Sequence, residues 1–118
     1  MKTLLLFLLL ISIAAITRVE WPTDEIHVSG SLQPWVLVTS DGKSSASIRV
    51  DIQDPKGTWH EGPYWPVTLE LGENTVFPWP VQITSDMPRG DYASKVILFD
   101  ESRKKLDAMI TEDAFEVA

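Results

Sequence analysis

The chain has 118 residues, no cysteine, two histidines and a formal charge of −7. Without cysteine there can be no disulfide, no thiol nucleophile and no cysteine-ligated metal. An acidic surface repels phosphate backbones, which excludes nucleic acid as an expected partner.

The first stretch, MKTLLLFLLLISIAAI, differs in composition from everything after it. Lys2 forms a minimal positive region, Leu4 to Ile13 is an unbroken apolar run, and Ser12-Ile13-Ala14 places small residues where a signal peptidase reads them. The run is shorter than the roughly 20 residues of a membrane span. Residues 1–15 are therefore expected to be an apolar signal helix, cleaved after Ala14 or Ala15, with an uncleaved anchor as the alternative. The remainder, 19–118, is long enough for one domain with one core, and is expected to be secreted, extracellular or lumenal. Cleavage removes Lys2 and makes the charge −8 instead of −7. No lipobox cysteine offers a lipid tether. Asn74 lies in Asn-Thr-Val, which is no glycosylation acceptor.

From Val19 onward, short apolar stretches alternate with turn residues. Strands are predicted over 25–30 and 34–39. In 46–53, Ile48, Val50 and Ile52 alternate with Arg49, Asp51 and Gln53, the period-two signature of a half-buried strand. Val67, Leu69 and Leu71 repeat the pattern, and further strands are predicted over 75–83, 92–99 and 106–117. Asp41-Gly42, Asp54-Pro55-Lys56-Gly57, Glu61-Gly62-Pro63 and Gly72-Glu73-Asn74 supply the turns. No stretch of 19–118 carries a helical apolar stripe. The fold class predicted is all-β, an immunoglobulin-like two-sheet β-sandwich of about seven strands.

Two segments depart from simple alternation. In 76–83, Phe77, Trp79, Val81 and Ile83 share a face, while Pro78 and Pro80 have no N–H to give a neighbour; this stretch is expected at a sheet edge. In the last strand Leu106, Ala108 and Ile110 have one parity, and Phe115 and Val117 the other. Both sets reach the core only through a bulge near Thr111-Glu112-Asp113.

Neither His27 nor Trp59-His60-Glu61 sits in a triad-like or zinc-like pattern, so no enzyme, metal or cofactor is expected. Five tryptophans (Trp21, Trp35, Trp59, Trp65, Trp79) are many for a small chain. They either fill the core or line an apolar pocket and its mouth. Three precede proline, which favours extended backbone there. Arg103-Lys104-Lys105 reads as a solvated hairpin tip, with transient contact to anionic lipid headgroups as the alternative. Arg89-Gly90-Asp91 spells an adhesion tripeptide, yet Pro88 and Gly90 predict a turn. Tyr92 stands where a sandwich buries a corner tyrosine that hydrogen-bonds back to the chain.

The pattern Pro88-x-Gly90-x-Tyr92, an alternating strand, a polar turn ending Lys104-Lys105-Leu106 and a closing strand resembles the ML lipid-recognition domain family. Pro22-Thr-Asp-Glu-Ile26-x-Val28-x-Gly30 resembles its opening strand. The stretch 46–53, followed by Lys56-Gly-Thr-Trp59, resembles its next long strand, and Phe77-Pro-Trp-Pro-Val81 its aromatic-proline strand. The chain departs from the family in having no cysteine, Asp107 following Leu106, and in a short 59–77 segment. The resemblance implies two splayed sheets holding a lipid or sterol-like ligand without catalysis, and presentation of that ligand to a protein partner. The expected wall residues are Trp35, Leu37, Ile48, Val50, Ile52 and Trp59 from the first half, and Leu69, Phe77, Trp79, Val96, Leu98 and Ile110 from the second. The alternative is an immunoglobulin-like structural, adhesion or protein-interaction module with a filled core. An apolar cavity of several hundred Å³ between the sheets would separate the two.

Overall fold

A computed structural model describes residues 14–27 and 30–118; positions 1–13, which hold most of the expected signal helix, and 28–29, inside the predicted 25–30 strand, lie outside the described residues. The described residues are all-β, with eleven strands and no helix. A three-stranded sheet has the order β1 (Ala14–Glu20), β4 (Trp35–Ser40), β8 (Gly72–Val76). A six-stranded sheet has the order β2 (Glu25–Ile26), β11 (Lys105–Val117), β10 (Gly90–Asp100), β5 (Ser44–Gln53), β6 (Trp59–His60), with β7 (Trp65–Leu69) also on β5. The short strands β3 (Ser31–Leu32) and β9 (Val81–Gln82) pair with each other.

The two larger sheets meet through Ile48, Val50 and Leu69, which alternation placed inside, and on β4 through Val36 and Val38 in place of the expected Trp35 and Leu37. Val36 and Val38 of β4 and Val76 of β8 pack in one cluster with Ile48 and Val50 of β5, Leu69 of β7, and Val96 and Leu98 of β10. Burial of each such side chain stabilises the fold by about 1.5–3 kcal/mol, which is how a chain without disulfides can hold a sandwich-like arrangement. A second cluster, around Tyr92, Phe115, Ile83 and Val117, closes the far end of the domain.

Several elements differ from the sequence reading for identifiable reasons. Strand β1 begins at Ala14, ahead of position 19, and pairs antiparallel with β4 from Ala14↔Ser40 to Glu20↔Trp35. Its Ala14 and Ile16 are buried; in the sequence they look like the tail of the apolar run. The predicted 75–83 strand is two strands, because Pro78 and Pro80 cannot donate to a ladder and the chain leaves β8 after Val76. As expected of an edge, β8 is the last strand of its sheet.

The bulge in the closing strand is present. Glu112, Asp113 and Ala114 intervene between Thr111↔Ser94 and Phe115↔Tyr92, against Ala93 alone on β10, and Asp113 has φ 49°. Two extra residues do not reverse which side of the strand faces inward. Met109 therefore packs on the core with the same parity as Phe115 and Val117. Leu106 and Ile110, expected inside, are exposed.

Candidate binding cleft

The expected wall residues do not gather round one cavity. Ile48, Leu69, Val96 and Leu98 are wholly buried among their neighbours, with Val50 and Ile52 nearly so. Trp35 and Leu37 are half-buried on the outer face of β4, because Val36 and Val38 take its inner face. The Arg18 guanidinium lies 5.4 Å from the centre of the Trp35 ring. Trp59, Phe77, Trp79 and Ile110 are exposed, the last three by 54%, 51% and 56%. Of all these residues, Val50, Ile52 and Trp79 line one cleft together.

That cleft has a volume of about 380 Å³, within the usual range for ligand pockets. Its floor is Val50 and Ile52. One wall is His60, Glu61, Gly62 and Pro63, and the other is the Pro78–Trp79–Pro80 stretch with Val81 and Gln82. Thr84, Asp86 and Met87 complete the rim.

The first wall is fixed by a turn and a clamp. In the Asp54–Thr58 turn the Asp54 carboxylate accepts the Lys56 and Thr58 N–H groups at 2.9 and 3.0 Å, and His60 Nε2 at 3.0 Å. The His60 hydrogen bond, joined by those two amides, holds the Asp54 carboxyl below its ordinary value against the opposing effect of desolvation. Beyond β6 the chain presses onto β5. Gly62 N–H donates to Asp51 at 3.1 Å, and a methyl at Gly62 would stand 2.3 Å from the Val50 carbonyl oxygen. Arg49 donates twice to Asp51, each at 3.0 Å, and approaches Glu61 at 3.6 Å. Tyr64, next in this loop, packs on Phe99 at 5.0 Å and under the Arg103 guanidinium at 4.1 Å. The basic cluster at 103–105 thus has one of its cations occupied by an aromatic face.

The opposite wall is held from below. Gln33 donates to the Pro78 carbonyl at 3.1 Å, and Ile83 N–H to Gly30 at 3.0 Å. The Trp79 ring rests on Trp65 at 5.3 Å with 51° between planes. Trp65 and Phe77 also border a shallower groove where edge strands β7 and β8 part. Asp86 accepts the Thr84 hydroxyl, which holds its carboxyl below the ordinary value.

The Pro88–Tyr92 turn beneath this rim matches its expected construction. The Tyr92 ring is fully buried and its hydroxyl donates to the Pro88 carbonyl at 2.6 Å. That ring stacks on Phe115 at 5.3 Å and 11°. Phe115 meets Trp21 at 5.1 Å, and the Trp21 indole N–H donates to Ser94 Oγ at 3.2 Å. Gly90 has φ 130°, while Arg89 and Asp91 are exposed.

Sequence reasoning placed Trp79, Val50 and Ile52 as ligand-facing but missed His60, Glu61, Pro63, Asp86 and Met87. The Phe77-Pro-Trp-Pro stretch was the available signal, since the two prolines flanking Trp79 have no N–H and leave one lateral side of the stretch unable to donate to a ladder. Chemically the site offers an aromatic face, an apolar floor and carboxylates on the rim, which suits non-covalent binding. Among the described residues no cluster of metal-capable side chains forms, and no helix is long and apolar enough to cross a membrane.

No family model and no curated protein matches this chain. Solved structures do share its fold. It is similar to part of the alkylpurine DNA glycosylase AlkC of Pseudomonas fluorescens, with a TM-score of 0.63 and 12% identity over 88% of this chain and 30% of that one. It is also similar to the Bacillus subtilis sporulation control protein Spo0M, with a TM-score of 0.59 and 13% identity over 91% of this chain and 50% of that one. The CARDB domain of a Pyrococcus furiosus protein aligns with a TM-score of 0.50 and 18% identity over 86% of both chains. The chain thus spans about a third of the first relative and half of the second, and at these identities the likeness is one of fold.

Proposed function

We propose that this domain is a non-catalytic, immunoglobulin-like interaction module that engages a polypeptide partner through the cleft beside Trp79. The observation that carries this reading is the division of apolar surface. Ile48, Leu69, Val96 and Leu98 are wholly buried among their neighbours, whereas Trp79 is exposed over a cleft that opens beside them, with the core residues Val50 and Ile52 as its floor. Exposed aromatics next to a pocket are the usual anchors of protein interfaces. The walls mix Pro63, Pro78 and Val81 with His60, Glu61, Gln82 and Asp86, a surface suited to peptide groups. An acyl chain there would have to cover the carboxylates. The occurrence of this fold within longer chains of different names agrees with a module that serves other units. The apolar leader supports action outside the cytosol, which the N-terminal sequence of the mature protein tests.

A random peptide library displayed on phage tests the binding reading. Peptides selected on the wild-type domain should lose binding to Trp79→Ala and keep it for Trp59→Ala, which removes an exposed tryptophan outside the cleft lining. Selected peptides that ignore Trp79 would sink the assignment.

A lipid carrier is the second reading, favoured by the apolar floor that Val50 and Ile52 form below Trp79, Val81 and Met87. It requires saturable quenching of tryptophan fluorescence by a brominated fatty acid or sterol; wild-type fluorescence unchanged by either would remove it.

A further inference from the structure

The charges around the cleft are one-sided. Glu61 and Asp86 line it, and no Lys or Arg does. The Glu61 side chain is 71% exposed, and its partner Arg49, 3.6 Å away, is already committed to Asp51 through two hydrogen bonds of 3.0 Å. His60 Nε2 is occupied by the buried Asp54 carboxylate at 3.0 Å. The Trp79 ring, half exposed and supported by Trp65, stands across from these groups.

We propose that the cleft takes a cationic segment of a partner polypeptide, an Arg or Lys side chain lying on Trp79 between Glu61 and Asp86. The proposal rests on the interaction-module reading above and names the chemistry of the partner. An indole face is the strongest side-chain site for a cation, and carboxylates flanking it add charge-assisted hydrogen bonds, bidentate with Arg. The Thr84 hydroxyl and its own turn keep Asp86 ionised, its carboxyl lying below the ordinary value. The field of the whole chain has the matching sign, since its formal charge is −7, and draws cationic segments toward it at low salt. Pro78 and Pro80 bring no N–H to this wall, so within 78–80 Trp79 alone has a backbone N–H to offer a partner strand. Recognition therefore falls mainly to side chains.

The test is a fluorescence titration of the full chain with acetylated, amidated tetra-arginine, against tetra-glutamine and tetra-glutamate of the same length. Tetra-arginine should bind saturably, more weakly as salt rises, and tetra-glutamate should not bind. Trp79→Leu should weaken tetra-arginine by about three- to tenfold, the size of a cation–ring contact. Glu61→Gln with Asp86→Asn should weaken it comparably. Glu112→Gln with Glu116→Gln removes the same charge from β11, away from the cleft, and should leave affinity within about twofold. An equal loss in that control pair would show binding to net charge alone and overturn the proposal. Tetra-glutamine bound as tightly as tetra-arginine, and lost in Trp79→Leu, would overturn the cationic preference while the interaction reading stands. No binding of any peptide, together with an empty phage selection, would overturn both.

Discussion

At Tyr92 and Gly90 the physical demands on single residues are sharpest, and both are local enough to be tested singly. Tyr92→Phe keeps the stack on Phe115 but leaves the Pro88 carbonyl without its donor. The expected cost is about 0.5–1.5 kcal/mol in urea unfolding. Gly90→Ala combines φ 130° with a methyl 2.9 Å from Pro55 Cγ, and should cost about 1–3 kcal/mol. Asp91→Glu, exposed between them, should stay within about 0.5 kcal/mol of wild type. Tyr92 also predicts behaviour at high pH. Burial, followed by the charges of Asp54 and Asp86, raises its hydroxyl above the ordinary 10.0. A raised value means that the folded state holds the proton more firmly. The stability it brings is complete below pH 10.0 and is lost as pH climbs through the raised value. Tyr92→Phe should remove that alkaline slope. Asp54 works at the other end. Its carboxyl lies below the ordinary 3.8, so its contribution is complete above that pH and disappears as pH falls toward the lowered value. Thermal melts across pH 2–5 should show a shallower acid slope for Asp54→Asn than for wild type.

Among the elements, the wall at Gly62 depends most on backbone fit. A methyl 2.3 Å from the Val50 carbonyl must push the loop off β5 and break the 3.1 Å hydrogen bond to Asp51. Gly62→Ala should therefore cost about 1–3 kcal/mol, speed amide exchange at 61–64, and reduce peptide binding in the cleft beyond what the loss of stability explains. Elements also show what a sequence exposes and what it hides. The alternation in 46–53 led directly to β5, and the parity clash in 106–117 to the bulge opposite Ala93. How many residues the bulge holds was invisible, because that number follows from how β10 and β11 register. Ile110 was therefore assigned to the wrong side. Leu37 was misassigned for a related reason: Trp35, Val36, Leu37 and Val38 are all apolar, so alternation gave no choice of face. Strand β1 was concealed because its Ala14 and Ile16 continue the composition of the preceding run. The cleft was half legible for a third reason. Trp79 announced itself through its flanking prolines, but Glu61 and Asp86 come to it from turns far apart in the chain.

For the whole molecule, the question that separates carrier from interaction module is where the apolar surface is satisfied. A carrier keeps part of its core for the ligand and is incomplete without it. Here Val36, Val38, Ile48, Leu69, Val96 and Leu98 satisfy one another across the two sheets. Truncating this contact should leave a void instead of enlarging an existing site, so Leu98→Ala should cost about 2–5 kcal/mol. The same reasoning fixes the response to ligand. A lipid bound to the folded state alone at a hundred times its dissociation constant would add about 2.7 kcal/mol. For a domain near a hundred residues, each kcal/mol raises the melting temperature by roughly 4–8 °C, so such a ligand would shift it by about 10 °C or more. Calorimetry with saturating oleate or cholesterol should instead leave the melting temperature of the wild-type domain unchanged. A rise of that size would restore the carrier reading, with the ligand on the cleft floor of Val50 and Ile52. A ligand deeper between the sheets would require these rows to part on binding, because their present packing leaves them no surface to share with a guest.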